Sequence, residues 1–424
     1  MRKRLWACVF ALLLACAGSA WAQEVVVVKA ARMLDVESGK IVPNAVVVIE
    51  GDKIKAVNPP SAPAGAKVVD LGDVTLLPGL TDMHVHLTGQ IDKDSFNREL
   101  RESPADSALR GVFYAKKTLL AGFTTVRDVG ASGFANVALA RASDLGFIDA
   151  PRIIASGNAI GITGGHCDTT GFAPGIAEEG PEAGIADGEE QILRAVRYQI
   201  KHGAKVIKTC ATAGVLSFEG PVGAQQYSEE ELRVIVAEAH RHGLKVAAHA
   251  HGTEGIIAAV RAGVDSIEHG SMLSDEAIAL MKQKGTYLVP TTYLADRDYA
   301  SMLPPAIRAK SESIKTAAKQ SHSKAVRAGV KIAFGTDAGV FPHGENAKEF
   351  TALMERGMSA LEAIRTATLY AGDLLGVTDR GVIAPGKLAD IIAVPGNPLE
   401  KISVMEEVRF VMKGGKVYRQ EAAR

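Results

Sequence analysis

Two histidines separated by one residue are the strongest chemical signal in the sequence. His84 and His86 lie in the stretch 78–87, whose apolar residues predict a buried β-strand. Because successive side chains of a strand alternate between its faces, both imidazoles point to one side and Val85 points to the other. Two imidazoles on one face of a buried strand suit packing poorly, but they can bind one metal ion. The pair therefore predicts half of a metal site.

Further titratable residues stand at the ends of later strand-like runs. They are His166, Lys208, His249, His269 and Asp337. A single histidine in such a place is more often a core or surface residue than a ligand. A whole set at corresponding strand ends is difficult to assign to chance, so these residues predict one shared site.

The elements that must position these residues alternate between strands and helices. Strand-like runs follow the first one at 124–129, 152–156, 205–211, 245–250, 266–269, 287–291 and 331–336. Amphipathic helical stretches separate them, with clear examples at 107–121, 189–202, 228–242 and 253–262. Eight strands with intervening helices predict the α/β class and a (β/α)8 TIM-like barrel, whose active site lies at the carboxyl ends of its strands.

The two ends of the mature chain have a different pattern. Segments 23–77 and 381–424 contain short β-runs punctuated by glycine and proline turns. We expect them to combine into one small β-sandwich domain beside a barrel domain at 78–380.

The first 22 residues are typical of a secretory signal peptide. A basic start at 1–4 precedes an apolar run at 5–14 and the small-x-small sequence Ala20-Trp21-Ala22. The apolar run is too short for a membrane-spanning helix. We therefore expect an exported protein, periplasmic or secreted, without stable membrane insertion after cleavage. A weaker alternative is a lipobox that would acylate Cys16, although Leu14 fits that pattern poorly.

Charge and cysteine content restrict the partners and the chemistry. The chain has 48 basic and 48 acidic residues, so nothing indicates nucleic acid as a partner. Outside the signal segment only Cys167 and Cys210 remain. In an oxidising compartment they could form a disulfide, and two free core thiols are the alternative.

Eight short motifs lie along nearly the whole mature chain. They are Pro78-Gly79-Leu80-Thr81-Asp82-Met83-His84-Val85-His86, Thr125-Val126-Arg127-Asp128, Gly164-Gly165-His166, Val206-Ile207-Lys208, Ala248-His249-Ala250-His251-Gly252, Ile267-Glu268-His269-Gly270, Gly335-Thr336-Asp337 and Pro385-Gly386-Lys387-Leu388-Ala389-Asp390. Together they resemble the metal-dependent amidohydrolase superfamily. The resemblance is greatest for the imidazolonepropionase-like branch, with exported Xaa-Pro dipeptidase-like, carboxypeptidase-like and ochratoxin-hydrolysing enzymes.

The resemblance implies a site for two divalent metal ions, usually zinc. By it, His84, His86 and Asp337 would bind one ion. His249 and His269 would bind the other. Lys208 would be N6-carboxylated and bridge both, because an ammonium cannot ligate a cation whereas a carbamate can. A hydroxide between the metals would attack the substrate carbonyl, and Asp337 would shuttle the proton to the leaving amine.

Three other polar residues near the predicted site have two interpretations each, and a fourth, His343, has one. His166 is interpreted as a catalytic substrate contact that polarises the carbonyl, with an exposed loop histidine as the alternative. Tyr227 either binds a substrate carboxylate or packs at a helix entry. His343 is a candidate for the pocket lining. His251 is expected to support the ligands or to be structural.

With this resemblance, the sequence predicts a hydrolase of amide bonds that carry a free carboxylate on the leaving amino acid. A small-molecule or dipeptide substrate and a homo-oligomeric state are expected. Dipeptides, Xaa-Pro among them, are the first candidate substrates, followed by N-acyl amino acids such as ochratoxin-like aryl amides. His251-Gly252 replaces the acidic pair expected of imidazolonepropionase itself, and Lys208 argues against single-metal deaminases. A cyclic-amide hydrolase and a non-catalytic scaffold of the same fold are the alternatives.

Overall fold

The computed structural model describes residues 25–98, 101–298, 301 and 303–421. The predicted signal peptide, with Cys16, lies outside these ranges. The strands are β1 Val25–Asp35, β2 Lys40–Glu50, β3 Lys53–Val57, β4 Lys67–Asp70, β5 Val74–Pro78, β6 Leu80–Val85, β7 Phe123–Asp128, β8 Arg152–Ala155, β9 Val206–Cys210, β10 Lys245–Ala250, β11 Ser266–His269, β12 Tyr287–Val289, β13 Ile391–Pro395, β14 Phe410–Lys413 and β15 Lys416–Gln420.

The helices surround the central strands and follow them in the chain. Their bounds are Ser95–Arg98, Pro104–Leu120, Ala135–Asp144, Gly188–Lys201, Glu229–Arg241, Thr253–Ala262, Asp275–Lys284, Pro305–Ala328, Lys348–Glu355, Ala360–Thr366 and Leu369–Leu375. Within the described ranges, none of them combines the length and apolar character needed to cross a bilayer.

Parallel strands form the predicted barrel. Strands β6, β7 and β8 pair in that order, as do β9 to β12. The backbone N–H of Ile160 joins the two groups by donating to the carbonyl of Lys208 at 2.8 Å. The predicted eighth strand at 331–336 and the residues just after it close the barrel through short bridges, which pair Ile332 with Leu288 on β12 and Ala338 with Val85 on β6. The (β/α)8 prediction is confirmed.

Local sequence signals fix where the helices begin and end. Ser228 caps the helix Glu229–Arg241: its hydroxyl accepts from the N–H of Glu231 at 3.2 Å, and the Glu231 carboxylate accepts from the N–H of Ser228 at 2.9 Å. Gly263 ends the helix Thr253–Ala262 with φ of 100°, which a side chain would disfavour. Ser228 thus ends the loop that leaves β9, and Gly263 begins the turn that leads into β11.

The two terminal segments pair in one hydrogen-bonded sheet of eight strands. Its main order is β15-β14-β13-β5-β1-β2-β3, and β4 pairs with β1. The joint is the antiparallel pairing of β5 with β13, which continues the hydrogen bonding from one segment to the other. The sheet encloses its own apolar core, with Val47, Ile49 and Leu76 from the first segment and Ile391 and Met412 from the second. Hydrogen bonding in this sheet thus joins the two ends of the chain.

Candidate active site

Strand alternation aims the candidate ligands into the barrel. On β10, Val246 and Ala248 belong to the apolar cluster that the outer helices share, so His249 on the alternate face points inward. On β9, Ile207 belongs to the same cluster, and Lys208 therefore faces the interior. The periodicity that buries the apolar residues also brings the polar ones together.

His84, His86 and Asp337 form one donor group. The Oδ1 atom of Asp337 lies 3.5 Å from Nε2 of His84 and 3.4 Å from Nε2 of His86. This carboxylate oxygen is buried and has no hydrogen-bond partner among the described residues. Two atoms bound to one tetrahedral zinc ion at about 2.1 Å lie about 3.4 Å apart. The spacing of these donors therefore fits a shared metal ion.

The tautomers of His84 and His86 support a shared metal ion. Nδ1 of His84 lies 2.7 Å from the Glu268 carboxylate, which can only accept, so this nitrogen carries the proton. Nδ1 of His86 likewise donates to the carbonyl of Gly130 at 3.1 Å. A neutral ring with its proton on Nδ1 presents a lone pair at Nε2. Both lone pairs face Asp337, an arrangement that a bound cation would stabilise.

A second donor group adjoins the first. Donor atoms of His249, His251 and His269 lie within 4.8 Å of one another, and so do those of His84, His269 and Asp337. Nε2 of His249 is buried and lacks a partner among the described residues. His269 belongs to both of these sets of three, so the donors of the two predicted metal ions are contiguous. His251, whose role the sequence left open, lies in the cluster, with its ring centroid 4.9 Å from that of His269.

Lys208 lies among these donors and is buried. Burial lowers its pKa to about 8, although the carboxylates of Glu268 and Asp337 favour its charged form. A lowered pKa makes the neutral amine, the form that reacts with CO₂, more accessible near neutral pH. Carboxylation of Lys208 remains a prediction.

Burial sets the charge state of the donor group. It lowers the pKa of His84, His249 and His269 well below the usual value, so these rings are neutral, as metal ligands must be. Burial also raises the pKa of Asp337 to about 7, against the influence of the Lys208 ammonium. The carboxyl group can therefore gain or lose a proton near neutrality.

Arg127 and Glu268 support the site, although their motifs alone indicated no role for either residue. The Arg127 guanidinium donates to Oε1 of Glu268 at 2.7 Å and to the carbonyl of Met83 at 2.6 Å. Both side chains are essentially inaccessible to solvent. The sequence did contain a signal for this pair, because each residue is a charged residue inside an otherwise apolar strand. Such residues are almost never fully buried unless they are paired. Their pairing orients His84.

Backbone conformation is unusual at the donor group. His269, Thr291 and Asp337 adopt positive φ of 69°, 48° and 61°. Non-glycine residues are strained in this region, and such strain clusters at functional sites. Nδ1 of His269 lies 2.8 Å from Oγ1 of Thr291, so two of the strained residues contact each other.

His166 lies against the donor group rather than in solvent. Its ring centroid is 4.1 Å from that of His249, and its Nδ1 is 2.5 Å from Oγ of Ser217. A Cβ on Gly214 would lie 2.2 Å from the ring, so this close approach requires glycine. Burial lowers the pKa of His166 to about 3. The exposed-loop alternative is contradicted, and the catalytic role remains a prediction.

Cys167 and Cys210 form a disulfide, which the sequence left undecided. Their Cα atoms are 5.9 Å apart and 43 residues separate them in sequence. Cys167 follows His166 directly, and Cys210 stands two residues after Lys208. The bond therefore ties the loop of His166 to the strand of Lys208.

Tyr227 and His343 do not join the donor group. Tyr227 is completely buried in the core that the outer helices share, and its hydroxyl donates to the carbonyl of Ala186 at 2.7 Å. This position contradicts the proposed substrate contact and agrees with the packing alternative. His343 is buried as well. Its Nε2 donates to the carbonyl of Gly89 at 2.8 Å, and its ring stacks on Tyr114. It holds the loop after β6, and its role in the pocket stays a prediction.

Comparison with known families identifies this arrangement. The model of the Amidohydrolase family matches residues 75–418, which include all the donors described above. The chain belongs to the amidohydrolase family. This amidohydrolase is 38% identical to an ochratoxinase of Aspergillus niger over 368 residues, covering 81% of this chain and 75% of that protein. It is 25% identical over 398 residues to an imidazolonepropionase of Deinococcus radiodurans, covering 86% and 88%.

A solved structure is also closely similar to this amidohydrolase. A Xaa-Pro dipeptidase with bound methionine in its active site superposes with a TM-score of 0.88 at 39% identity, covering 93% of this chain and 100% of that one. The resemblance drawn from the motifs is confirmed. The chain is a hydrolase of amide or peptide bonds, which argues against the non-catalytic scaffold.

Proposed function

We propose that this amidohydrolase is a metal-dependent enzyme that cleaves an amide bond with a free carboxylate on the leaving amino acid. Dipeptides, Xaa-Pro among them, are the first candidate substrates. N-acyl amino acids, including ochratoxin-like aryl amides, are the next. The names of the similar proteins support both groups: one is an ochratoxinase and another is a Xaa-Pro dipeptidase.

One observation carries the metal dependence. The Nε2 atoms of His84 and His86 converge with Oδ1 of Asp337 at distances that fit one ion, and no described residue satisfies that oxygen. We propose that these three residues hold one divalent ion, that His249 and His269 hold a second, and that N6-carboxylated Lys208 bridges them. Zinc is the expected metal, because imidazole nitrogens with a carboxylate suit it.

The protein residues would contribute proton transfer and orientation. Bound divalent ions would lower the pKa of water to about 7 and polarise the scissile carbonyl. Asp337, with its pKa raised to about 7, would accept the proton of the attacking water and give it to the leaving amine. The backbone N–H of Asp337 donates to the carbonyl of His84 at 2.7 Å, which fixes Asp337 against strand β6.

His166 would bind the carbonyl oxygen of the substrate. If the Ser217 hydroxyl donates to Nδ1 of His166, the neutral ring carries its proton on Nε2. That N–H would donate to the scissile carbonyl from the edge of the donor group. His166 thus orients the substrate without binding metal.

A substrate screen tests the proposal. The protein lacking residues 1–22, with its zinc content verified, is assayed against libraries of dipeptides, N-acyl amino acids and cyclic amides. We expect hydrolysis in the first two sets, loss of activity on chelation and recovery on adding zinc. Turnover of cyclic amides alone would favour the runner-up, a cyclic-amide hydrolase, and no hydrolysis by the metal-loaded protein would refute the proposal.

We also propose that the protein is exported and assembles as a homo-oligomer. The signal-peptide pattern at 1–22 and the Cys167–Cys210 disulfide support export, because disulfides persist mainly in oxidising compartments. Fractionation of producing cells tests the location. Light scattering of the purified protein tests the assembly, and a monomeric mass would contradict it.

A further inference from the structure

The carboxyl end of β11 has a backbone that its sequence does not favour. His269 and the next residue, Gly270, have positive φ of 69° and 61°. Glycine adopts this conformation readily, but histidine is strained in it. His269 is nonetheless a member of both donor groups. Surrounding contacts must therefore hold its backbone in this state.

Two consecutive residues of one helix supply those contacts. His322, on the helix Pro305–Ala328, donates from Nε2 to the carbonyl of His269 at 2.6 Å. Ser321 donates from its hydroxyl to the carbonyl of Gly270 at 2.7 Å, and it accepts from the N–H of Leu273 at 2.9 Å. Both side chains are buried. Adjacent side chains thus bind adjacent carbonyls of the turn that carries the ligand.

The other side of the His322 ring is also fixed. Its Nδ1 lies 2.8 Å from Oγ1 of Thr292, and the Arg356 guanidinium donates to that oxygen at 3.0 Å. Because arginine only donates, the Thr292 hydroxyl keeps its proton for Nδ1 of His322. Nε2 of His322 must then carry the ring proton, which is what the carbonyl of His269 requires.

We propose that Ser321 and His322 are positioning residues that hold His269 in its strained conformation and so aim its imidazole into the metal site. The inference rests on the metal dependence proposed above. Neither residue reaches a donor atom; each acts on the main chain of the turn. Partners of this kind, one step removed from the metal, typically contribute 10- to 100-fold to its affinity, as a rough guide.

Zinc affinity of the full chain, measured by competition with a chromophoric chelator, tests the proposal without reference to activity. The amide nitrogen of His322→Gln has the reach of Nε2, whereas that of the matched variant His322→Asn falls short of the carbonyl of His269. We expect affinity within about threefold of wild type for His322→Gln and about 10- to 100-fold weaker for His322→Asn. Ser321→Ala should give a smaller loss.

Thermal unfolding of each metal-free variant separates positioning from general stability. His202→Leu is the control, because His202 packs on Phe134 and Tyr198 away from the donors, and its zinc affinity should equal that of wild type. Equal affinities for the Gln and Asn variants would overturn the proposal. If the wild-type protein binds zinc but hydrolyses no amide, the proposed function fails while this comparison still decides the role of His322.

Discussion

The proposed metal donors of this amidohydrolase and its proposed substrate contact, His166, are held in different ways. Lys208, His249 and Asp337 stand on or beside barrel strands, where main-chain hydrogen bonds to neighbouring strands fix their positions. His166 stands on a loop and depends on side-chain contacts, Gly214 and the neighbouring disulfide. A strand end is set by the whole sheet, whereas a loop is set by a few local bonds.

We call the part that holds Lys208, His249 and Asp337 the strand region and the part that holds His166 the loop region. The difference between them indicates which property of the enzyme each region controls. Rigid strand ends suit metal ligation, which tolerates displacements of only tenths of an ångström. A loop can change with the substrate while the metal site remains intact. We therefore expect changes in the strand region to abolish metal binding and chemistry, and changes in the loop region to alter substrate affinity first.

The largest effect is expected at Asp337. Asp337→Asn removes the proton acceptor and one anionic donor, so kcat should fall by about 10²–10⁴-fold, the usual contribution of a general acid–base group. KM should change much less, because the proposed substrate contact of His166 remains. Steady-state kinetics with measured metal content checks this. A variant with wild-type kcat would show that Asp337 takes no part in proton transfer.

Lys208→Ala should lose zinc and activity together. The residue lies among all the donors, and the proposed carbamate would join the two ions. Added short carboxylates should restore part of both, since they can replace a bridging anion. Metal analysis and activity assays across a formate or acetate series measure this. Full activity without added carboxylate would refute a bridging role.

Acidification should weaken zinc binding, because Asp337 and Lys208 in the strand region gain protons. Asp337 has its pKa raised to about 7 and Lys208 has its pKa lowered to about 8, so both carry protons below these values. Metal must displace those protons, and zinc affinity should therefore fall as the pH decreases from 8 to 6. The buried imidazoles are already neutral and should contribute little in this range. Chelator competition at several pH values checks this, and a flat profile would contradict it.

The double variant Cys167→Ser/Cys210→Ser tests the loop region. Loss of the disulfide should reduce the free energy of unfolding by about 2–4 kcal/mol. Because His166 loses its covalent restraint, KM should rise several-fold while zinc content remains that of wild type. Reducing agent should produce the same change in the wild type and none in the variant. Loss of zinc instead would place the effect of the disulfide on the strand of Lys208.

The smallest catalytic effect is expected for Tyr227→Phe, which lies outside both regions. The change removes one buried hydrogen bond to the carbonyl of Ala186 and should lower the free energy of unfolding by about 1–3 kcal/mol. Values of KM and kcat should stay unchanged. Chemical denaturation measures the free energy of unfolding, and parallel steady-state kinetics measures KM and kcat. A raised KM would indicate that Tyr227 contacts the substrate after all.

The sequence by itself was enough to predict the barrel and the set of candidate donors at its strand ends. Alternation along each strand already separates Lys208 and His249 from the apolar residues that face the helices. The motif resemblance then indicated metal chemistry at the carboxyl ends of the strands. These signals are local, with periods of two or 3.6 residues, so they can be recognised without contacts between distant residues.

Only the tertiary structure decided what surrounds the donors. Glu268 meets Arg127 across 141 residues, and His322 meets the carbonyl of His269 across 53 residues. The disulfide and the burial of Tyr227 were likewise undecided, because each depends on how loops and helices pack together. No local period encodes such pairings: a buried polar group finds its partner wherever the folded chain brings one within hydrogen-bond distance.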